Sequence, residues 1–172
     1  MRAYDLELAN EVLEPTFVFM RSQTDKIRLS ITELGEYLQY REKDVGKALL
    51  SALMRYTMEL RPTPKEMVML KPLEENCSKH LSIVNDIYSY EKEAVKVLAT
   101  ETGLKVAATK RVLWSLVREW ELTHNEMCEG LGNCSKTVKD YIRGLQYQMS
   151  GNELWSRTTP RYLWPADGLG GE

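Results

Sequence analysis

Asn85, Ser89 and Glu93 place an amide, a hydroxyl and a carboxylate at four-residue intervals in the stretch VNDIYSYEKE, Val84 to Glu93. Successive residues of a helix turn by about 100°, so positions i, i+4 and i+8 drift by only about 40° each. In a helix the three share one narrow stripe. Lys92 falls about 20° to the other side of Asn85 and brings a cation to the same stripe. Leu81, Val84, Ile87 and Tyr88 take its shoulders. A polar ridge between apolar shoulders differs from an ordinary surface helix, whose polar face is broad. Two readings fit. Taken singly, each residue belongs on a solvated face, where most Asn, Ser and Glu are found. Taken together, they are hard oxygen donors carrying one negative charge. That suits Mg²⁺, which prefers octahedral oxygen ligands, keeps several waters and completes its shell with phosphate oxygens. On the second reading Lys92 meets the same phosphate.

The elements that must position this row are helices. Alternating β-branched runs are nearly absent, while apolar residues recur every three or four positions, so the pattern predicts an all-α chain. A first helix spans about Tyr4 to Ser22, kinked or divided at Pro15. Ser30 to Glu33 fits a capping box that opens a helix through Tyr40, and Gly46 weakens its continuation toward Leu60. Thr63 is a natural N-cap with Pro64 at the first helical position, starting a short helix to Leu70. A long helix from about Leu73 to Thr102-Gly103 carries the oxygen row. Others span about Lys105 to Glu129 and Lys136 to Met149, and an irregular tail follows from about Gly151.

Composition removes several alternatives. With 172 residues and 43 % hydrophobic content, the chain is expected to bury one core as a single helical domain. Its 23 basic and 25 acidic residues are interspersed and leave a charge of −2, which gives no footprint for nucleic acid or an anionic membrane. No stretch approaches the roughly 20 apolar residues of a membrane span and no signal-peptide core is present, so a cytoplasmic location is expected. Cys77, Cys128 and Cys134 form no C-x-x-C pair, and His80 and His124 stand apart. That argues against a zinc site, a disulfide framework or a cysteine–histidine nucleophile.

The pattern N-D-x-x-S-x-x-K-E, here Asn85, Asp86, Ser89, Lys92 and Glu93, resembles the second metal motif of the class I terpene synthases. From Tyr4 to Trp164 the chain is similar to fungal sesquiterpene cyclases of the aristolochene synthase type. The resemblance implies a part of the class I terpene synthase α-helical domain, with Asn85, Ser89 and Glu93 on Mg²⁺. It assigns Arg41, in EYLQYREKDVG, as a diphosphate sensor alongside Lys92. Arg161 and Tyr162, in WSRTTPRYLW, are the pair that reaches the same diphosphate. Phe19 and Trp155 become aromatic walls that shelter a carbocation. The implied reaction ionises farnesyl diphosphate and cyclises it, through a germacrene-type intermediate, to a bicyclic hydrocarbon such as aristolochene. The departing diphosphate serves as proton acceptor.

Two departures bear on that implication. The family's first motif, D-D-x-x-D/E, has no counterpart, because the aspartates Asp5, Asp25, Asp44, Asp86, Asp140 and Asp167 are scattered. The chain thus corresponds to the C-terminal portion of the family domain. After Glu93, AVKVLATET joins directly to GLKVAATKRVLW, a connection shortened by roughly five helical turns. Apolar faces left uncovered would favour a homo-oligomer or a complementary chain. An alternative is a catalytically inactive helical fragment or partner-docking module; an unrelated helical adaptor with an accidental polar row is a third reading.

Overall fold

The computed structural model describes residues 3–24, 26, 30–89 and 93–163, and among them every regular element is a helix. The N-terminal half holds α1 (Leu6–Glu11), α2 (Leu13–Ser22), α3 (Leu34–Asp44) and α4 (Lys47–Thr57). A long α5 (Pro64–Tyr88) is followed by α6 (Glu93–Thr102), α7 (Val106–Gly130), α8 (Lys136–Thr158) and α9 (Pro160–Leu163). The all-α expectation therefore holds. Among the described residues no helix is long and apolar enough to cross a membrane.

Local chemistry sets several boundaries where the sequence places them. Pro15, third in α2, has no amide to offer the carbonyl of Glu11, so the first helix divides at Val12. Gly46 adopts φ 73° between α3 and α4, and a Cβ there would stand 2.9 Å from the Phe19 ring. Gly103, at φ 70°, follows the end of α6. Thr63 and Glu66 cap α5 reciprocally, Thr63 N donating to Glu66 Oε2 at 2.7 Å and Glu66 N to Thr63 Oγ1 at 3.3 Å.

Other boundaries differ from the sequence reading. α3 begins at Leu34, so the Ser30–Glu33 capping box does not open it; the Leu34 amide donates to Glu101 of α6 at 3.0 Å. α5 runs unbroken through Pro72, whose missing amide would face Val68, a residue 75 % exposed to water. The expected long helix from Leu73 to Thr102 is interrupted: α5 stops at Tyr88, and Ser89 turns to an extended conformation at ψ 117°. Ser89 Oγ bonds back to the Asp86 carbonyl at 3.4 Å, satisfying an acceptor of the last turn. α8 continues past Gly151 to Thr158, because Asn152 bonds to the Leu81 carbonyl at 3.2 Å and Ser156 is fully buried. The segment 151–158 is therefore helix rather than irregular tail.

α5 is the axis of the molecule. As far as Leu81 it packs with α4 and α8 in a cluster containing Met54, Leu70, Leu73, Leu81, Tyr141 and Leu145. Its second half packs with α3, α6 and α7 around Tyr37, Ile83, Ile87, Val95, Leu98 and Leu113. α8 runs parallel to α5, since Ser135 Oγ donates to Glu66 at 2.5 Å, Cys77 Sγ reaches the Leu145 carbonyl, and Asn152 meets Leu81. The C-terminal ends of both helices consequently finish at one end of the bundle, where α3 also contacts α5. On α2, Leu13, Phe17 and Met20 form an exposed stripe at helical spacing, the sort of uncovered apolar face that the sequence reading anticipates.

Candidate functional site

Tyr37 and Arg41 lie one turn apart on α3 and both point at Asp86, near the end of α5. Tyr37 OH donates to Asp86 Oδ2 at 2.5 Å and Arg41 Nη2 to Asp86 Oδ1 at 2.7 Å. Asp86 is fully buried and Arg41 only 5 % exposed. Arg41 Nη2 also reaches Asn85 Oδ1 at 3.3 Å, and Nη1 pairs with Asp44 at the end of α3. Burial alone would lower the guanidinium pKa, yet the charge of Asp86, the adjacent Tyr37 oxygen, the hydrogen bond to Asp86 and the charge of Asp44 raise it above its ordinary value. Arg41 is a permanent cation fixed beside Asn85.

The structure thus joins two residues that the sequence reading placed at one site, Arg41 and Asn85, which lie 44 positions apart. Ser89 stays one turn beyond Asn85, its amide bonded to the Asn85 carbonyl at 3.0 Å, with its hydroxyl at the helix end. Glu93 begins α6 instead of extending the α5 stripe, so the row is divided between two elements. Its side chain and that of Arg161 lie outside the described residues, as does Lys92 entirely.

Trp155 and Tyr162 come together through α8 and α9, with their rings edge to face, centroids 5.5 Å apart and planes at 79°. Trp155 is 47 % exposed, and the parallel run of α8 along α5 carries it past the level of Leu81 toward Asn85. Phe19 has a structural occupation: its half-buried ring lies against Gly46, in the joint that follows the Arg41 helix. Tyr88 and Trp114 make a second edge-to-face pair at 5.7 Å on the α7 side.

Sequence reasoning missed Tyr37 and Asp44 and gave Asp86 no role beyond its place in the motif. The available signal was the i, i+4 pair Tyr37 and Arg41 on one helix face, opposite an aspartate in an apolar stretch.

The donor chemistry near Asn85 fits a hard cation. Asp86 is committed to Arg41 and Tyr37, which leaves the amide of Asn85 and the hydroxyl of Ser89, each held by one long bond of 3.3 or 3.4 Å, as adaptable oxygens. They sit at a helix C-terminus, where the partial negative charge of the last carbonyls favours a cation.

Residues 8–123 match the family model described as terpene synthase family 2, C-terminal metal binding. The chain belongs to this family. Among its relatives, the aristolochene synthase of Penicillium roqueforti is 60 % identical over 182 aligned residues, covering 94 % of this chain and 53 % of that protein. That of Aspergillus terreus is 50 % identical over 181 residues, covering 94 % of this chain and 57 % of the relative. The crystal structure of aristolochene synthase from Penicillium roqueforti superposes with a TM-score of 0.84 at 63 % identity, over 92 % of this chain and 58 % of that one. The chain therefore spans a little over half the length of these relatives. An alignment of 182 residues also exceeds the 172 present here, so positions of the relative have no counterpart in this chain.

Proposed function

We propose that this chain forms the diphosphate-binding, C-terminal portion of a Mg²⁺-dependent sesquiterpene cyclase, whose complete active site converts farnesyl diphosphate to a bicyclic hydrocarbon such as aristolochene. The observation that carries the reading is the contact between Arg41 and Asn85 at 3.3 Å, which sets a fixed cation beside an oxygen at the end of α5 that is held by that one long bond. The identity of 60 % with an aristolochene synthase across 94 % of the chain supports the same reading.

Asn85, Ser89 and Glu93 would hold the metal, which when bound neutralises charge on the diphosphate as its bond to carbon breaks. Arg41, locked by Asp86, presents its charge without having to reorganise, and such preorganised groups act most strongly where water is excluded. Lys92, Arg161 and Tyr162 complete the grip on the diphosphate. Trp155 and Phe19 offer ring faces to the carbocation, each contributing roughly 0.5–2 kcal/mol within about 6 Å. The proton released on closing the final double bond passes to the departing diphosphate, as the likeness to aristolochene synthases implies.

Incubation with farnesyl diphosphate and Mg²⁺, with gas chromatography and mass spectrometry of the hydrocarbons, tests the proposal. It is run on the chain alone and on the chain joined to an upstream segment bearing D-D-x-x-D/E. A bicyclic sesquiterpene that disappears in Asn85→Ala/Ser89→Ala is the expected result. Unchanged substrate or farnesol alone in both forms contradicts it.

A further inference from the structure

We infer that His80, Glu121 and Glu153, contrary to the sequence expectation of no zinc site, form a second cation site, separate from the Asn85 end, for a first-row transition-metal dication of the Zn²⁺ class. The residues come from three helices, α5, α7 and α8, and offer one ligand atom each, all within 4.8 Å of one another. His80 Nε2 stands 2.9 Å from Glu121 Oε1, and the imidazole is 1 % exposed, so the surrounding helices hold its orientation. One imidazole nitrogen with two carboxylates is a borderline donor set that selects Zn²⁺ and its neighbours over Mg²⁺, which favours oxygen alone. Three protein ligands leave a position for water, as in open zinc centres.

Access and a second observation support the assignment. Glu121 and Glu153 line an open groove of ≈ 510 Å³ beside Arg118, His124 and Gln146, which gives an ion an entry path. His124 is 1 % exposed, and its Nε2 has no hydrogen-bond partner among the described residues. This buried ring nitrogen beside the groove is a polar group that water on a bound ion would satisfy.

Arg118 now stands in the cation's place. Its Nη1 contacts Glu121 Oε1 at 2.5 Å and Glu153 Oε2 at 2.9 Å, and its Nη2 contacts Glu153 Oε1 at 2.8 Å. The arginine is 49 % exposed, and its guanidinium carbon already lies 5.0 Å from the Trp114 ring centroid. It can rest on that ring when a metal takes the carboxylates, exchanging its bidentate pair with Glu153 for a cation–π contact. Bound there, the metal links the three longest helices.

The test is calorimetric titration of the full chain, stripped with a chelator, with Zn²⁺ alone. One equivalent binds at micromolar concentration. Glu121→Gln and Glu153→Gln, isosteric changes on part-exposed side chains, each weaken it at least tenfold, since even loss of an indirect partner costs about 10–100-fold. Arg118→Ala, which removes the competing cation, tightens it several-fold; an ion-pair cluster without metal would show no such opposite responses. X-ray absorption at the zinc edge shows a single imidazole. Absence of saturable binding below about 100 µM, or binding unchanged in both glutamine variants, overturns the proposal.

Discussion

Asp86→Asn removes one charge and almost no volume, and the structure allows its cost to be worked out. Asp86 is fully buried and accepts from Arg41 at 2.7 Å and from Tyr37 at 2.5 Å. Among the described residues Arg41, 5 % exposed, keeps Asp44 as its counter-charge after the change. Breaking a buried ion pair from one side costs about 3–5 kcal/mol, and the surviving Asp44 contact points to the lower end. At about 2–4 °C per kcal/mol for a chain of this length, a 3 kcal/mol loss lowers Tm by ~6–12 °C. Urea unfolding followed by far-UV circular dichroism measures it, in a cycle with Arg41→Met. Because the partners touch, the double variant loses less than the two single losses added, by about 1–3 kcal/mol. A stability within about 0.5 kcal/mol of the parent, or strictly additive losses, refutes the reasoning.

Thr63→Ala removes the α5 cap and lowers stability by about 1 kcal/mol in the same assay. Gly144→Ala gains up to about 1 kcal/mol in helix propensity. Its new Cβ, however, stands 2.2 Å from Met54 Sδ, and overpacking costs about 1–3 kcal/mol, so thermal unfolding shows a net loss. Burial, followed by the charges of His80 and Lys47, pushes the His124 pKa down to about 4. Between the ordinary value near 6.5 and that level the unfolded chain binds more protons at this position, so the His124 contribution to stability falls as pH is lowered through the window and levels off below it. In urea midpoints measured across that range, His124→Gln flattens the slope, and His80, also depressed by burial, contributes to what remains together with carboxylates such as Glu74 that are held below their ordinary value.

Boundaries governed by local chemistry were legible in the sequence: Thr63-Pro64, Gly46 and Gly103 act through dihedral angles and caps that neighbouring residues determine. The stop at Ser89 was not legible, because no residue near it is a strong helix breaker. It accompanies the anchoring of Asp86 to α3, a contact spanning 49 positions. The same holds for α8, where Gly151 reads as a terminator until Asn152 finds the Leu81 carbonyl across the bundle. For the site, residue types and resemblance sufficed to pair Arg41 with Asn85. They did not show that Arg41 is held by Tyr37, Asp86 and Asp44, since a buried network is invisible until helices are docked. The row of three oxygens was expected on one helix and is divided, with Glu93 on the next.

Calorimetry of pyrophosphate binding in the presence and absence of Mg²⁺ addresses the central claim, that the end of α5 and Arg41 grip a metal-bound diphosphate. The account predicts saturable binding that requires Mg²⁺ and is lost in Asn85→Ala/Ser89→Ala while the variant keeps its helical circular dichroism. Binding that is indifferent to Mg²⁺ and to those two residues, or no binding at all, contradicts it.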